Sequence, residues 1–293
     1  MHKIIVITGP TAVGKTKLSI ELAKKYDGEI INADAVQVYK GLDIGSAKVT
    51  EEEKEGIPHH LLDFKEVTEE YTIYHYQKDC REKIKDIQSR NKTPILVGGT
   101  GLYIKAALYD YKLSEEKSTN TYDNLTNEEL YEELKKLDED IIIDKDNRRR
   151  LIRAINYYKE NNESINKNKT NKLLYNVIFI GLTTDRQVLY DKINKRVDEM
   201  ISQGLLEEVK SFYDKGIKSK PLLNAIGYRE LYNYLDGNCT KEEAIEKIKQ
   251  NSRHYAKRQY TFFNHQLPVV WFETDYNNFN NTIEKVASYI DSN

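Results

Sequence analysis

The chain has 293 residues, of which 39% are hydrophobic and 31% charged, and its net charge is −2. This balance excludes a disordered, fibrous or membrane-embedded protein and indicates one large α/β domain or a domain with an insert. Two cysteines, Cys80 and Cys239, form neither a metal cluster nor a disulfide framework, which predicts a cytoplasmic protein. The apolar run before Gly9 is too short for a signal peptide, and no membrane association is expected.

Five apolar runs predict buried strands, and helical patterns separate them. Such alternation indicates a mainly parallel sheet flanked by helices, with ligands beyond the carboxyl ends of the strands. Between residues 111 and 176 the strand pattern stops and charged helical sequence takes its place. The prediction is a catalytic core of residues 1–110 and 177–293 with a small helical insert and return at 111–176. The predicted strands are residues 4–8, 29–32, 94–98, 177–181 and 268–272.

The segment after the first predicted strand matches the P-loop pattern and opens a predicted helix. Its glycines let backbone amides face phosphate oxygens, Lys15 adds a full positive charge, and Thr16 is a candidate ligand for a Mg²⁺ cofactor. The pattern predicts a P-loop NTPase-like core and leaves kinase, NTPase and pyrophosphate-ester chemistry open. The candidate pyrophosphate ligands in this loop are Gly9, Pro10, Thr11, Ala12, Val13, Gly14, Lys15 and Thr16.

Two further side chains are expected at the same edge of the sheet. Asp34 follows the second predicted strand, where a carboxylate suits either proton transfer or the capping of a turn. Arg186 follows the strand at 177–181 and is a candidate pyrophosphate ligand, the alternative being a solvent-facing helix start. The strand at 94–98 lacks the terminal Asp that an NTPase uses for magnesium, although Asp63 could serve that role.

Further segments stand out along the chain, at residues 34–48, 58–63, 97–103, 149–154, 194–200, 226–228 and 255–259. Together with the P-loop, their order resembles the tRNA dimethylallyltransferase (isopentenyltransferase) family over most of the length. The resemblance implies transfer of a dimethylallyl group from dimethylallyl pyrophosphate to the exocyclic amine of the adenosine 3′-adjacent to the anticodon in tRNA. It also implies a channel that the prenyl pyrophosphate and a flipped adenine enter from opposite ends.

The resemblance also implies roles for individual residues. Asp34 is the general base toward the adenine amine, Gln37 helps to recognise the base, and Thr100 and Lys15 complete the reacting centre. This division is chemically coherent, because a weak amine nucleophile needs a proton acceptor and the leaving pyrophosphate needs positive charge. The residues implied in tRNA binding are Asp34, Ala35, Val36, Gln37, Thr100, Arg149, Arg150, Leu151, Ile152, Arg153, Arg253 and Lys257.

Two departures from the family pattern affect these expectations. Ala35 stands where the family commonly has Ser, so any hydrogen bond from that position must come from elsewhere. The insert at 111–144 is short, with little between residues 118 and 127 to form an extra helix, which predicts fewer contacts to the anticodon stem. Arg149 and Arg153 lie one helical turn apart, a spacing suited to successive phosphates, although a solvated charged face is the alternative.

Three other functions remain open at this stage. One is a P-loop kinase of a nucleotide or small metabolite, with Asp63 or Asp34 holding magnesium. Another is an RNA-binding module with a vestigial P-loop, and the last is a prenyltransferase that acts on free adenylate. The expected partners are tRNA and dimethylallyl pyrophosphate, and the expected state is a monomer.

Overall fold

The computed structural model describes residues 3–111, 113, 122–166 and 171–293. The chain forms two compact units, one made of Met1–Ala107 with Tyr175–Asn293 and the other of Leu108–Leu174. The boundaries predicted from the sequence lie within three residues of this division. Residues 112 and 114–121 of the predicted short insert and residues 167–170 of the predicted return lie outside the described part of the chain.

The first unit is built on one parallel sheet. Its strands are β1 (Ile4–Thr8), β2 (Gly28–Asn32), β3 (His59–His60), β4 (Thr93–Val97), β5 (Val177–Thr183) and β6 (Val270–Glu273). They lie in the order β3-β2-β4-β1-β5-β6, and every pairing is parallel. The five predicted strands are confirmed, with bounds that shift by at most two residues. The short edge strand β3 has no apolar run, so the sequence does not reveal it.

Helices flank this sheet, as the α/β prediction requires. Those of the first unit are α1 (Lys15–Lys25), α2 (Ile73–Ser89), α3 (Gly101–Leu108), α6 (Arg186–Ser202), α7 (Leu205–Tyr213), α8 (Lys220–Asn224), α9 (Tyr228–Leu235), α10 (Lys241–Gln266) and α11 (Phe279–Asp291). The second unit contains α4 (Asn127–Leu137) and α5 (Arg148–Asn161). Within the described ranges, none of these helices combines the length and the apolar character needed to cross a membrane.

The strand order places three functional segments side by side. β1 is buried along its whole length, and β4 lies between β1 and β2. Parallel strands present their carboxyl ends at one edge of a sheet. The P-loop after β1, Asp34 after β2 and Thr100 after β4 therefore meet at that edge, with Thr100 in the middle.

The long helix α10 begins at a capping box. The Thr240 side chain accepts from the backbone N–H of Glu243 over 3.1 Å, and Glu243 accepts from the N–H of Thr240 over 2.8 Å. The buried positions of the helix are Ala244, Ile248, Ala256, Gln259 and Phe263. Tyr255 is half-buried and is available to the site described below.

The second unit has a small core of its own between α4 and α5. Leu151 is fully buried in this core, and Ile152 packs against it. The other buried members are Tyr122, Leu130, Leu134, Ile141, Ala154 and Ile155. Asn147 caps α5 by accepting from the N–H of Arg150 over 3.2 Å. The first turn of α5 therefore has fixed geometry, with Arg149 and Arg150 exposed on its surface.

Candidate active site

The P-loop lies between the end of β1 and the start of α1, as predicted. At Gly9 the backbone φ is +132°, and a Cβ there would lie 2.5 Å from the carbonyl oxygen of Leu182. Only glycine fits this position, because a side chain would collide with the backbone of β5. Lys15 donates hydrogen bonds from Nζ to the carbonyl oxygens of Gly9 (3.0 Å) and Pro10 (2.6 Å). Its ammonium is thereby held over the loop.

The surroundings of Lys15 disfavour its positive charge. Burial, followed by the nearby positive charge of Arg196, lowers the pKa of Lys15 to about 7, although the negative charge of Asp34 acts in the opposite direction. A lysine with this pKa is half-protonated near neutral pH. An arriving anion stabilises its charged form, so the site is electrostatically prepared for a polyanionic ligand.

A cavity of about 870 Å³ opens beside Lys15, within the size range of small-molecule sites. Of the predicted pyrophosphate ligands, Thr11, Ala12, Gly14, Lys15 and Thr16 line it. Five of the residues predicted to bind tRNA also line it, namely Asp34, Ala35, Val36, Gln37 and Thr100. Phosphate-binding and base-binding candidates therefore share one space.

Asp34 caps the turn after β2 through one of its two carboxylate oxygens. Its Oδ1 accepts from the backbone N–H groups of Val36 (2.8 Å) and Gln37 (3.3 Å), which caps the turn after β2. Its Oδ2 has no hydrogen-bond partner among the described residues. One oxygen therefore fixes the carboxylate in place, and the other remains able to accept a proton.

Thr100 bonds to the turn after β2. Its Oγ1 accepts from the backbone N–H of Ala35 over 3.1 Å, so the backbone at position 35 contacts Thr100 without a Ser hydroxyl. Tyr255 of α10 lines the same cavity, and burial followed by the charge of Asp34 raises the pKa of Tyr255 to about 12. Tyr255 is therefore a neutral hydroxyl at the wall of the cavity, a role that the sequence did not reveal.

The second cation of the site is Arg196. It lies on the face of α6 that lines the cavity with Ile193, Val197 and Met200, and its Nη1 donates to Oγ1 of Thr11 over 3.2 Å. Burial lowers the pKa of Arg196. The predicted ligand Arg186 lies elsewhere, exposed at the start of α6 with its guanidinium 5.2 Å from the ring centre of Tyr190. Helix α6 begins close to the end of β5, as predicted. The rotation of the helix about its axis, however, points Arg196 and not Arg186 toward the P-loop.

This geometry can be compared with known proteins. The family model described as IPP transferase matches residues 37–266 of the chain. A tRNA dimethylallyltransferase of Anoxybacillus flavithermus is 50% identical over 300 residues, covering 99% of this chain and 96% of that protein. One of Geobacillus thermodenitrificans is 49% identical, with coverage of 99% and 96%. The chain belongs to the IPP transferase family.

Solved structures of the family agree with the fold. The full-length tRNA isopentenylpyrophosphate transferase of Bacillus halodurans superposes with a TM-score of 0.78 at 42% identity, covering 100% of this chain and 96% of that one. A eukaryotic dimethylallyltransferase acting on tRNA gives a TM-score of 0.89 at 29% identity, with coverage of 100% and 79%. The P-loop itself precedes the segment that the IPP transferase model matches, and the two bacterial relatives cover it.

A carboxylate on α7 fixes the backbone of residues 43–45, next to the cavity. Glu208 accepts from three successive backbone N–H groups, those of Asp43 (3.1 Å), Ile44 (2.8 Å) and Gly45 (3.1 Å). The hydroxyl of Tyr228 also donates to Glu208. Gln37 donates from Nε2 to the carbonyl oxygens of Ser46 (3.0 Å) and Ala47 (3.2 Å). Its Oε1 is left as the atom that can accept from a base.

The residues predicted to bind tRNA fall into different environments. Arg149 and Arg150 are exposed and Arg153 is half-buried, whereas full burial makes Leu151 a core residue that cannot touch RNA directly. Arg253 donates to Oδ1 of Asn194, and Lys257 is exposed outside the cavity lining. From the same helix, Arg258 lines the cavity instead, together with Tyr255 and Gln259.

Thr16, the predicted magnesium ligand, is exposed at the start of α1 and lines the cavity, and Glu21, Asp34 and Glu53 line the same cavity. In the described ranges, no cluster of three or more His, Cys, Asp or Glu side chains is arranged to hold a metal alone. Magnesium commonly binds through few protein oxygens together with substrate phosphates and water, so this donor set is adequate.

Proposed function

We propose that the chain transfers a dimethylallyl group from dimethylallyl pyrophosphate to the exocyclic amine of the adenosine 3′-adjacent to the anticodon in tRNA. The C1–O bond of the donor breaks as the bond from N6 to C1 forms. The amine proton passes to Asp34, and pyrophosphate leaves with the bonding electron pair. The names and full-length similarity of the relatives support this assignment.

The observation that carries the proposal is the arrangement of two cations and one carboxylate in a single cavity. In this proposal Lys15 and Arg196 stabilise the negative charge that develops on the leaving pyrophosphate, and both line the cavity. Asp34 lines the same cavity and takes the amine proton on the carboxylate oxygen that does not cap the turn. Magnesium, held through Thr16 and the phosphate oxygens, would add charge neutralisation.

The remaining parts of the assignment concern recognition and location. We propose that Gln37 contacts the flipped adenine through Oε1 and that Arg149 and Arg150 contact phosphates of the anticodon stem. We also propose that the chain acts as a monomer. The free cysteines Cys80 and Cys239 are consistent with a reducing compartment, which supports a cytoplasmic location.

Incubation with labelled dimethylallyl pyrophosphate and Mg²⁺ tests the proposal when tRNA, AMP or ATP is offered as the acceptor. The expected result is label in tRNA, recovered after digestion as a prenylated adenosine, with released pyrophosphate. Label in AMP or ATP alone would indicate a prenyltransferase of free adenylate. Hydrolysis or transfer of the ATP γ-phosphate without prenyl transfer would indicate a kinase.

A further inference from the structure

The segment joining β6 to α11 contacts the P-loop through two hydroxyl groups. Thr274 donates from Oγ1 to the carbonyl oxygen of Val13 over 3.0 Å, and this bond is buried. Tyr276 donates from its hydroxyl to the carbonyl oxygen of Ala12 over 3.2 Å. Both residues follow position 266, where the family match ends.

These two bonds occur where the P-loop backbone is least relaxed. Ala12 has a φ of +67°, a left-handed conformation that costs a side-chain-bearing residue about 1–2 kcal/mol. In an anion cradle the N–H groups face the ligand, so the carbonyl groups of the same peptides face away and need donors of their own. Thr274 and Tyr276 supply those donors at two successive peptides.

We propose that Thr274 and Tyr276 are positioning residues that hold the P-loop in its pyrophosphate-binding conformation. This inference rests on the proposed function, because it takes pyrophosphate as the ligand of the loop. Neither side chain lines the cavity, so their effect passes through the carbonyl groups of Ala12 and Val13. Without these bonds, a smaller fraction of the molecules would have the P-loop in its binding conformation. The apparent affinity for pyrophosphate would fall by that fraction.

The joining segment is itself fixed strongly enough for this role. Thr274 is 5% exposed, and its backbone N–H donates to the carbonyl oxygen of Thr183 over 2.9 Å. Asp275 accepts from the backbone N–H of Asn278 (2.8 Å) and from Nδ2 of Asn281 (2.8 Å), which anchors the turn before α11. The Nζ of Lys192 lies 3.7 Å from the ring centre of Tyr276.

A close contact on the same side of the loop adds to the hydroxyl bonds. The ring of Phe279, the first residue of α11, lies so near Gly14 that a Cβ there would be 2.6 Å from Phe279 Cε2. Gly14 is the N-cap of α1, with a φ of +91°. The C-terminal segment therefore meets the P-loop at three consecutive residues, Ala12, Val13 and Gly14.

Isosteric removal of each hydroxyl tests the inference. The variants Thr274→Val and Tyr276→Phe keep the shape of each side chain, and isothermal titration with inorganic pyrophosphate and Mg²⁺ measures the affinity of the loop. We expect each variant to weaken pyrophosphate binding about five-fold, the usual net value of one hydrogen bond. The KM for dimethylallyl pyrophosphate should rise in parallel, with kcat changed less than about two-fold.

Two controls separate positioning from general loosening. Thr274→Ser restores the hydroxyl and should bind pyrophosphate as the unmodified chain does. Tyr289→Phe makes the same chemical change on α11, where Tyr289 packs on Phe272 with ring centres 5.5 Å apart, and should leave affinity unchanged. Circular dichroism verifies that each variant is folded.

Unchanged pyrophosphate affinity in folded Thr274→Val and Tyr276→Phe would overturn the inference. Equal weakening in Tyr289→Phe, or a loss of kcat at unchanged affinity, would overturn it as well. If the unmodified chain binds pyrophosphate and the two variants weaken it, while no tRNA is prenylated, the proposed function fails and the inference stands.

Discussion

Arg196 donates a hydrogen bond of 3.2 Å from Nη1 to Oγ1 of Thr11, which joins α6 to the P-loop beside Lys15. Two partly buried cations in one cavity repel each other, and this repulsion helps to lower the pKa of Lys15. The repulsion is unfavourable in the unliganded protein, and a bound polyanion would relieve it. Such a site costs the fold some stability and raises its affinity for an anion.

Replacing Arg196 by Lys should slow prenyl transfer by about 100-fold, because Lys cannot reproduce the planar fork of donors that a phosphate group accepts. Single-turnover rates with saturating donor and tRNA measure the effect. Arg186→Lys makes the same change at the exposed start of α6 and should be neutral. A larger loss in Arg186→Lys than in Arg196→Lys would restore Arg186 as the pyrophosphate ligand.

Pyrophosphate binding should take up a proton through Lys15. The pKa of Lys15 is about 7 before binding, and a bound anion raises it, so the lysine is neutral in the free site at pH 8 and charged in the complex. Affinity should therefore weaken as pH rises from 7 to 9. Titration calorimetry at pH 8, in buffers of different ionisation enthalpy, counts the protons.

Lys15→Met provides the reference for that measurement, since pyrophosphate itself exchanges protons in both proteins. At pH 8 the unmodified chain should take up nearly one proton more per bound pyrophosphate than Lys15→Met does. Equal proton counts would show that Lys15 is already charged in the free protein.

Glu29 should make the fold sensitive to acid. Arg90 and then His60 hold the pKa of Glu29 at about 2, below the value of about 4.3 for an unfolded chain. A lowered carboxyl pKa stabilises the fold above pH 4.3, and the contribution is lost as pH falls toward 2. Glu29→Gln should remove about 2 kcal/mol of the free energy of unfolding at pH 7.

Urea unfolding of Glu29→Gln at pH 7 and pH 3 measures this contribution, and the variant should show a flatter pH dependence than the unmodified chain. Glu69→Gln disrupts the exposed pair between Lys65 and Glu69 and should change the stability little. Identical pH profiles for Glu29→Gln and the unmodified chain would contradict the assignment.

Arg149 and Arg150 should supply part of the salt-dependent affinity for tRNA. The double Ala variant should weaken binding and reduce the slope of log K against log salt by about 1.5 to 2, as expected for two lost phosphate contacts. Lys136→Ala removes one positive charge from the last turn of α4 and serves as the control. Its slope of log K against log salt should fall by less than half of the change in the double variant. An unaltered slope in the double variant would mean that these arginines face only solvent.

The sequence predicts those parts of the site that follow a strand directly. The P-loop, Asp34 and Thr100 each lie within a few residues of a strand end, and parallel strands bring such ends together. Arg196 lies ten positions inside α6, where only the rotation of the helix decides which side chain points inward. The rotation of α6 about its axis depends on how the whole helix packs, and the positions of the strand ends do not determine it.

Packing also explains the differences in the insert and in α10. Leu151 belongs to a family motif that suggests RNA contact, yet its side chain fills the core between α4 and α5. Tyr255 is an aromatic residue that could pack in the core, yet it is half-buried and lines the cavity. In both cases the sequence marks an important position, and only the three-dimensional neighbours decide whether its role is packing or contact.

Asp34→Asn tests the central claim most directly. The Asn oxygen can still accept from Val36 and Gln37, while the amide replaces the proton-accepting Oδ2. The single-turnover rate of tRNA prenylation should fall by about 100-fold to 10,000-fold, the usual contribution of a positioned general base, with donor and tRNA affinities nearly unchanged. A rate close to that of the unmodified chain would contradict the account, as would a loss of donor affinity as large as the loss of rate.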